Sequence, residues 1–215
     1  MRTELRIVAA AGSLPEIHAV GGLSARRTGV DTVHLIGTAA TPLGGDELDI
    51  RIVVGAGARL TVRSVAATIA LPGASTPASV ARWHVELGSG AELDFDPEPT
   101  IVAGGAHHHT HTTVMLAPDA RLRLRERVQI GRAGEDSGAW SGALTADLAE
   151  IPLLRHRLHL GVDSVSEDGL ATPRALDSEL RYPDPRPADT TGLTGVLLPL
   201  AAGGSLRTHT YRTLS

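Results

Sequence analysis

Three stretches decide the fold once they are laid under one another: Val53-Val-Gly-Ala-Gly-Ala-Arg-Leu-Thr-Val62, Glu86-Leu-Gly-Ser-Gly-Ala-Glu-Leu-Asp-Phe95 and Met115-Leu-Ala-Pro-Asp-Ala-Arg-Leu-Arg-Leu124. Each reads as strand, tight turn, strand. The alanines that close the turns, Ala58, Ala91 and Ala120, lie 33 and 29 residues apart, and two positions after each comes Leu60, Leu93 or Leu122. A unit of about 30 residues that cannot bury its own apolar face must stack on its neighbours. The repeat therefore predicts an all-β fold of stacked β-hairpin repeats, β-helix-like or a sandwich.

Outward from the repeat, apolar and polar residues alternate. Leu48, Ile50 and Ile52 are separated by Asp49 and Arg51, and residues 80–87 and 154–160 follow the same rule. A period of two marks strands with one buried face. Helix signals are few. The best begins at Thr172 as N-cap with Pro173 at the first helical position, runs through Leu176 to Leu180 and ends before Pro183, Pro185 and Pro187. One or two short helices are expected in the C-terminal half, followed by an apolar segment from Gly195 to Leu214 that returns to the sheet.

A chain of 215 residues with 42% hydrophobic content suffices for one core, so residues 1–215 are read as a single domain. No stretch approaches the roughly 20 apolar residues of a membrane span, and Arg2, Glu4 and Arg6 occupy the place of a signal peptide's apolar run. A cytoplasmic protein without a membrane partner is expected. The absence of cysteine removes disulfides, thiolate metal sites and thiol nucleophiles. All twenty basic residues are arginine, which removes Schiff-base chemistry and the lysine of a phosphate-binding loop. With a net charge of −4 and 2% aromatics there is neither a global positive field nor a set of stacking rings for nucleic acid. The local basic run Arg121, Arg123, Arg125 and Arg127, with leucines between the first members, reads as a solvated strand face.

Four features carry chemistry. His107, His108, His109 and His111 offer imidazoles suited to nickel, zinc or copper, and on a strand His107, His109 and His111 share a face. The same run suits a solvated turn. A cupin-like metalloenzyme needs a carboxylate three or four residues after the His-x-His pair, where this chain has Thr112 to Leu116, so only a distant Glu126 or Glu150 would complete it. Asp94, Asp96 and Glu98 alternate and face one side, where like charges need solvent, arginine or a cation. Finally, the repeat places Thr68, Thr100 and Gln129 in equivalent positions, a polar ladder that lines water if it faces inward. Gly88-Ser-Gly90 is a turn, and no serine sits in a nucleophile elbow. A purely structural β-repeat binding module is a further alternative.

The series Gly44-Gly-Asp-Glu-Leu48, Gly55-Ala-Gly-Ala58, Ala66-Ala-Thr68, Pro97-Glu-Pro-Thr-Ile101, Gly105-Ala106 and Gly131-Arg132 spans residues 21 to 132 in order. Taken together it resembles the UreD (also called UreH) urease accessory proteins. The match thins to Leu153-Leu-Arg155 and residues 199–204 beyond it. The sequence departs from the family at Ile69, Ala70 and Leu71, where a lysine and an aromatic are frequent, and at Glu98-Pro99-Thr100, where Gln-Glu-Thr is common. The resemblance implies a non-catalytic, β-helical scaffold with two helices that binds UreF, which binds the GTPase UreG. It further implies docking on urease apoprotein, GTP-dependent nickel insertion, no tightly bound cofactor, and a water-filled path through the protein, and it leaves a dimer within the complex open. Candidate path residues are Asp46, Thr68, Glu98, Thr100 and Gln129. His107, His109 and His111 are candidate transient nickel ligands.

Overall fold

A computed structural model describes residues 1–162 and 173–214. Among these residues the alternating segments form eighteen strands. The first group is β1 (Arg2–Ala9), β2 (Glu16–Val20), β3 (Leu23–Arg27), β4 (Thr32–Gly37), β5 (Glu47–Val54), β6 (Arg59–Ser64) and β7 (Thr68–Ala70). There follow β8 (Ala78–Leu87), β9 (Glu92–Phe95), β10 (Thr100–Val102), β11 (His107–Leu116) and β12 (Arg121–Ile130). The chain continues through β13 (Ala139–Leu148), β14 (Ile151–Gly161), β15 (Ala175–Tyr182), β16 (Asp189–Thr191), β17 (Gly195–Pro199) and β18 (Ser205–Tyr211).

The strands form a seven-stranded sheet, ordered β14-β13-β11-β8-β5-β1-β2, and an eleven-stranded sheet, ordered β16-β17-β18-β15-β12-β9-β6-β4-β3, with β7 and β10 beside its path. The repeat is the coil of this stack. Each tight turn carries the chain from a strand of the first sheet to a strand of the second, so successive turns of chain pair in parallel and in register. Leu60 sits beside Leu93 and Leu93 beside Leu122. Ala58, Ala91 and Ala120 are buried where the turns stack, a close approach that larger side chains would not allow. At the ends of the parallel stacks the direction reverses: β2 and β14 are antiparallel to β1 and β13, and β3 and β15 to β4 and β12.

Two expectations are corrected. Thr172 lies outside the described residues, and Ala175–Leu180 is strand, not helix. Leu176, Leu180 and Tyr182 point inward while Asp177, Glu179 and Arg181 point to the outer face, and β15 is hydrogen-bonded on both sides, to β12 and β18. Pairing on two edges overrides a capping signal at one end. The polar ladder also loses one rung. Thr68 pairs with Thr100, but Thr100 pairs with Val128, and Gln129 lies beside Ile101. Between β9 and β10 the chain holds one residue more than the uninterrupted β12 spans, and a one-residue slip exchanges faces. Gln129 instead accepts a hydrogen bond from the Leu214 N–H at 2.9 Å.

The arginine and carboxylate runs answer each other across the outer face of the second sheet, so the arginine stripe is paired and not merely solvated. Arg123 reaches Asp94, Asp96 and Glu179, each within 3.0 Å. Arg125 holds Asp177 with two bonds of 2.8 and 2.7 Å, and Arg127 reaches Asp96 at 3.2 Å. Burial pushes the carboxyls of Asp177 and Glu179 up, yet the guanidiniums around them outweigh it and hold both below their ordinary values. Such groups stabilise the fold above the unfolded-state pKa of about 4 and cease to do so as pH falls through their lower folded values. Arg125→Ala is expected to cost about 2 kcal/mol at neutral pH, less than the scale for stranding a buried charge because Arg207 still reaches Asp177 at 3.4 Å. Urea midpoints read it, and the deficit should shrink as the pH drops below 4, when Asp177 is neutralised.

Candidate functional site

The interior is divided into two hydrophobic clusters. One gathers around Ile7, Ile50, Leu60 and Leu124, the other around Val102, Val128, Trp140 and Leu176. Between them the inward positions turn polar or lose their side chains: Thr110 on β11, Gly142 on β13, Glu126 on β12 and Ser178 on β15. A cavity of about 390 Å³ opens beside this layer, walled by residues of both sheets such as Leu35, Leu48, Trp83 and Phe95. Its mouth is formed by the segments around Ala39–Pro42, Ser64–Ile69 and Pro97–Glu98.

His108, Thr110 and Thr112 enter the cavity from β11, and Glu126 enters from β12. His108 is 3% exposed, and its Nδ1 lies 2.9 Å from the Ser79 hydroxyl. Burial, and then the neighbouring His109, hold its pKa down to about 4, so the ring is neutral at physiological pH and able to act as a ligand. Glu126 is half-buried, with its side chain lining the cavity between the sheets. Burial pushes its pKa up to about 7 against the opposing hydrogen bond from Thr110. Trp140 Nε1 donates to Thr110 Oγ1 at 3.0 Å, which leaves the Thr110 proton for the carboxylate. The indole needs the room that Gly142 leaves, because a Cβ there would come 2.2 Å from the ring. Beyond Glu126 a void of about 10 Å³ is shared with His156 and Ser178.

The other expected site residues divide around this cavity. Thr68, Glu98 and Thr100 line its mouth; Glu98 is exposed, and its N–H donates to the Ser64 hydroxyl at 2.8 Å. Asp46 is buried outside the lining. Its carboxylate accepts bonds from the Met1 amine, from Thr41 Oγ1 at 2.8 Å and from the Leu43 N–H at 2.9 Å. Burial pushes its pKa up, but these bonds bring it below the ordinary range. Gln129 faces away from the cavity. His107, His109 and His111 share the outer face of the first sheet, as their spacing required. Among the described residues no three histidine or carboxylate side chains converge on one point. The cupin arrangement is likewise unsupported: Glu126 points into the cavity and Glu150 is exposed at a turn, whereas His109 and His111 lie on the opposite face.

A family model described as UreD urease accessory protein matches residues 19–179. The chain belongs to the UreD family. It is 40% identical over 190 residues to "Urease accessory protein UreD 1" of Saccharopolyspora erythraea, covering 87% of this chain and 74% of that protein. With "Urease accessory protein UreD 3" of Streptomyces griseus it shares 38% identity over 213 residues, covering 91% of this chain and 82% of the relative. With "Urease accessory protein UreD" of Parafrankia sp. it shares 47% over 143 residues, and the match spans about half of that protein, 48%.

The inner residues of this UreD chain left a signal in the sequence. Glu126 interrupts the apolar set Leu122, Leu124, Val128 and Ile130 at a position of buried parity, and His108, Thr110 and Thr112 share parity with Val114 and Leu116. Glu126→Gln tests the burial directly. As pH rises from about 4.3 to 7 the unfolded chain ionises this group while the folded chain resists, so the wild type loses stability that the amide keeps. Urea midpoints should show the variant more stable by on the order of 2 kcal/mol at pH 8 and equal to wild type at pH 4.

Proposed function

We propose that this chain is a non-catalytic scaffold that, with UreF and UreG, passes nickel to urease apoprotein, and that the cavity between its sheets is the compartment the ion crosses. The reading draws on the family's name, given for accessory proteins of urease, and on one observation: the interior polar layer sets a carboxylate and a neutral imidazole, Glu126 and His108, into a single cavity. A divalent ion cannot enter an apolar compartment bare, since desolvation costs far more than weak contacts return. A cavity of about 390 Å³ admits the ion with water around it. Glu126 supplies a counter-charge and His108 a nitrogen donor, while the threonine hydroxyls hydrogen-bond the water. Two protein donors guide an ion without retaining it as tightly as a closed set of four. GTP belongs to UreG in this scheme, consistent with a chain that has no lysine.

The test is activation of urease in cells expressing its subunits with UreF, UreG and this protein, with nickel per urease read by mass spectrometry. Glu126→Gln should lower nickel content on the order of tenfold, the scale seen when groups around a metal lose their contacts, while co-purification with UreF is unchanged. Full nickel loading by the Glu126→Gln variant would refute the transit role.

A further inference from the structure

The cavity between the sheets has walls that an ion does not use. Leu23, Leu35, Trp83, Val85 and Phe95 line it, and the rings of Trp83 and Phe95 meet edge to face with centroids 5.2 Å apart. Aliphatic and aromatic surface contributes little to holding a hydrated cation, but it is the common lining of small-molecule sites, where a few polar groups fix the ligand's orientation. An apolar cavity of about 150 Å³ already takes a benzene-sized molecule, and this one has about 390 Å³. At the mouth the apolar surface continues outward through Val65 and Ile69, both exposed. Four charged residues border the space, and three have their place outside it. Arg125 reaches Asp177 at 2.7 Å and Arg127 reaches Asp96 at 3.2 Å on the outer face, while Glu98 stands exposed at the mouth. Glu126 is the charge that enters, and among the described residues its carboxyl is met by the neutral Thr110 hydroxyl and by no cation.

We propose that the cavity binds a small amphiphilic amine, with a primary ammonium head on Glu126 and an apolar tail lying along Leu35, Trp83 and Phe95 toward the mouth. An ammonium carries three donors and no acceptor, and it supplies the positive charge that the unpaired carboxylate lacks. The tail removes the apolar walls from water, and a tail longer than the cavity leaves over Val65 and Ile69. An alcohol of the same length fills the walls but leaves the carboxylate without a counter-charge, and a fatty acid sets like charge against like. The site uses Glu126 and the apolar walls alone, so it does not depend on the transit role.

The experiment titrates the purified, metal-free chain by calorimetry with probes that share a tail or a head: hexylamine, hexan-1-ol, hexanoate and ethylamine. The chain's two tryptophans, Trp83 and Trp140, both stand beside the cavity, so their fluorescence reads occupancy independently. Hexylamine should bind saturably at about one equivalent, with a Kd below about 1 mM, and shift the tryptophan emission. Hexanol and ethylamine should bind at least about tenfold more weakly, the scale of one charge-assisted contact, and hexanoate should give no measurable heat. Glu126→Gln should weaken hexylamine by a similar factor, with the hexanol affinity unchanged and the urea midpoint no lower. Equal affinity for hexylamine and hexanol, or hexylamine binding unaltered in Glu126→Gln, would overturn the proposal. Nickel is left out throughout, so this result and the nickel loading of urease stand or fall separately.

Discussion

Everything in this protein is subject to the in-register parallel ladder between one turn of chain and the next. Once Leu60, Leu93 and Leu122 share a column, the residues one step away share the next, and the identity of each face is fixed through the stack. Aliphatic columns fill the interior although the sequence has few aromatic rings. Charged columns form on the outside by the same rule, where Asp94 meets Arg123 because both stand three positions after a stacked turn alanine. A carboxylate there finds a guanidinium without any long-range search, because register alone delivers it.

The same ladder makes the polar layer conspicuous. A solenoid with room for a continuous apolar core places Glu126, His108 and Thr110 at inward positions, and it supports them with Ser79, Trp140 and Gly142. A half-buried carboxylate whose ionisation is resisted lowers stability at neutral pH. Its retention within a supporting set of bonds is the pattern expected where stability yields to a task. In the transit role proposed above, that task is handling a cation on behalf of another protein.

Much of the fold was legible in the sequence because a repeat exposes itself: the alanine and leucine columns and the inward or outward parity of most strands follow from spacing alone. What escaped had local causes. Residues 175–180 follow a helix-like start at Thr172 and Pro173, and pairing with β12 and β18 makes them extended. Gln129 moved out of the Thr68–Thr100 ladder because of one extra residue between β9 and β10, a count that spacing within one strand does not reveal. The inner site was half legible: Glu126 broke the apolar parity of β12, but that its partner would be a threonine from another sheet depended on how the turns stacked. The histidine run drew attention to its outward members, while the buried His108 between them entered the cavity.

The antiparallel strands at the ends of the stacks have a consequence for how molecules meet. A coil whose last rung ran the same way as the rest would offer its neighbour a template for continued growth, the hazard that edge strands carry. Here β2 and β3 at one end, and β14 and β15 at the other, run against the stack. The edges of β3 and β14 also carry Arg26, Arg27, Arg155 and Arg157 on exposed positions, with Pro152 at the start of β14. In-register parallel extension of the coil by a second copy is thereby disfavoured at these strands.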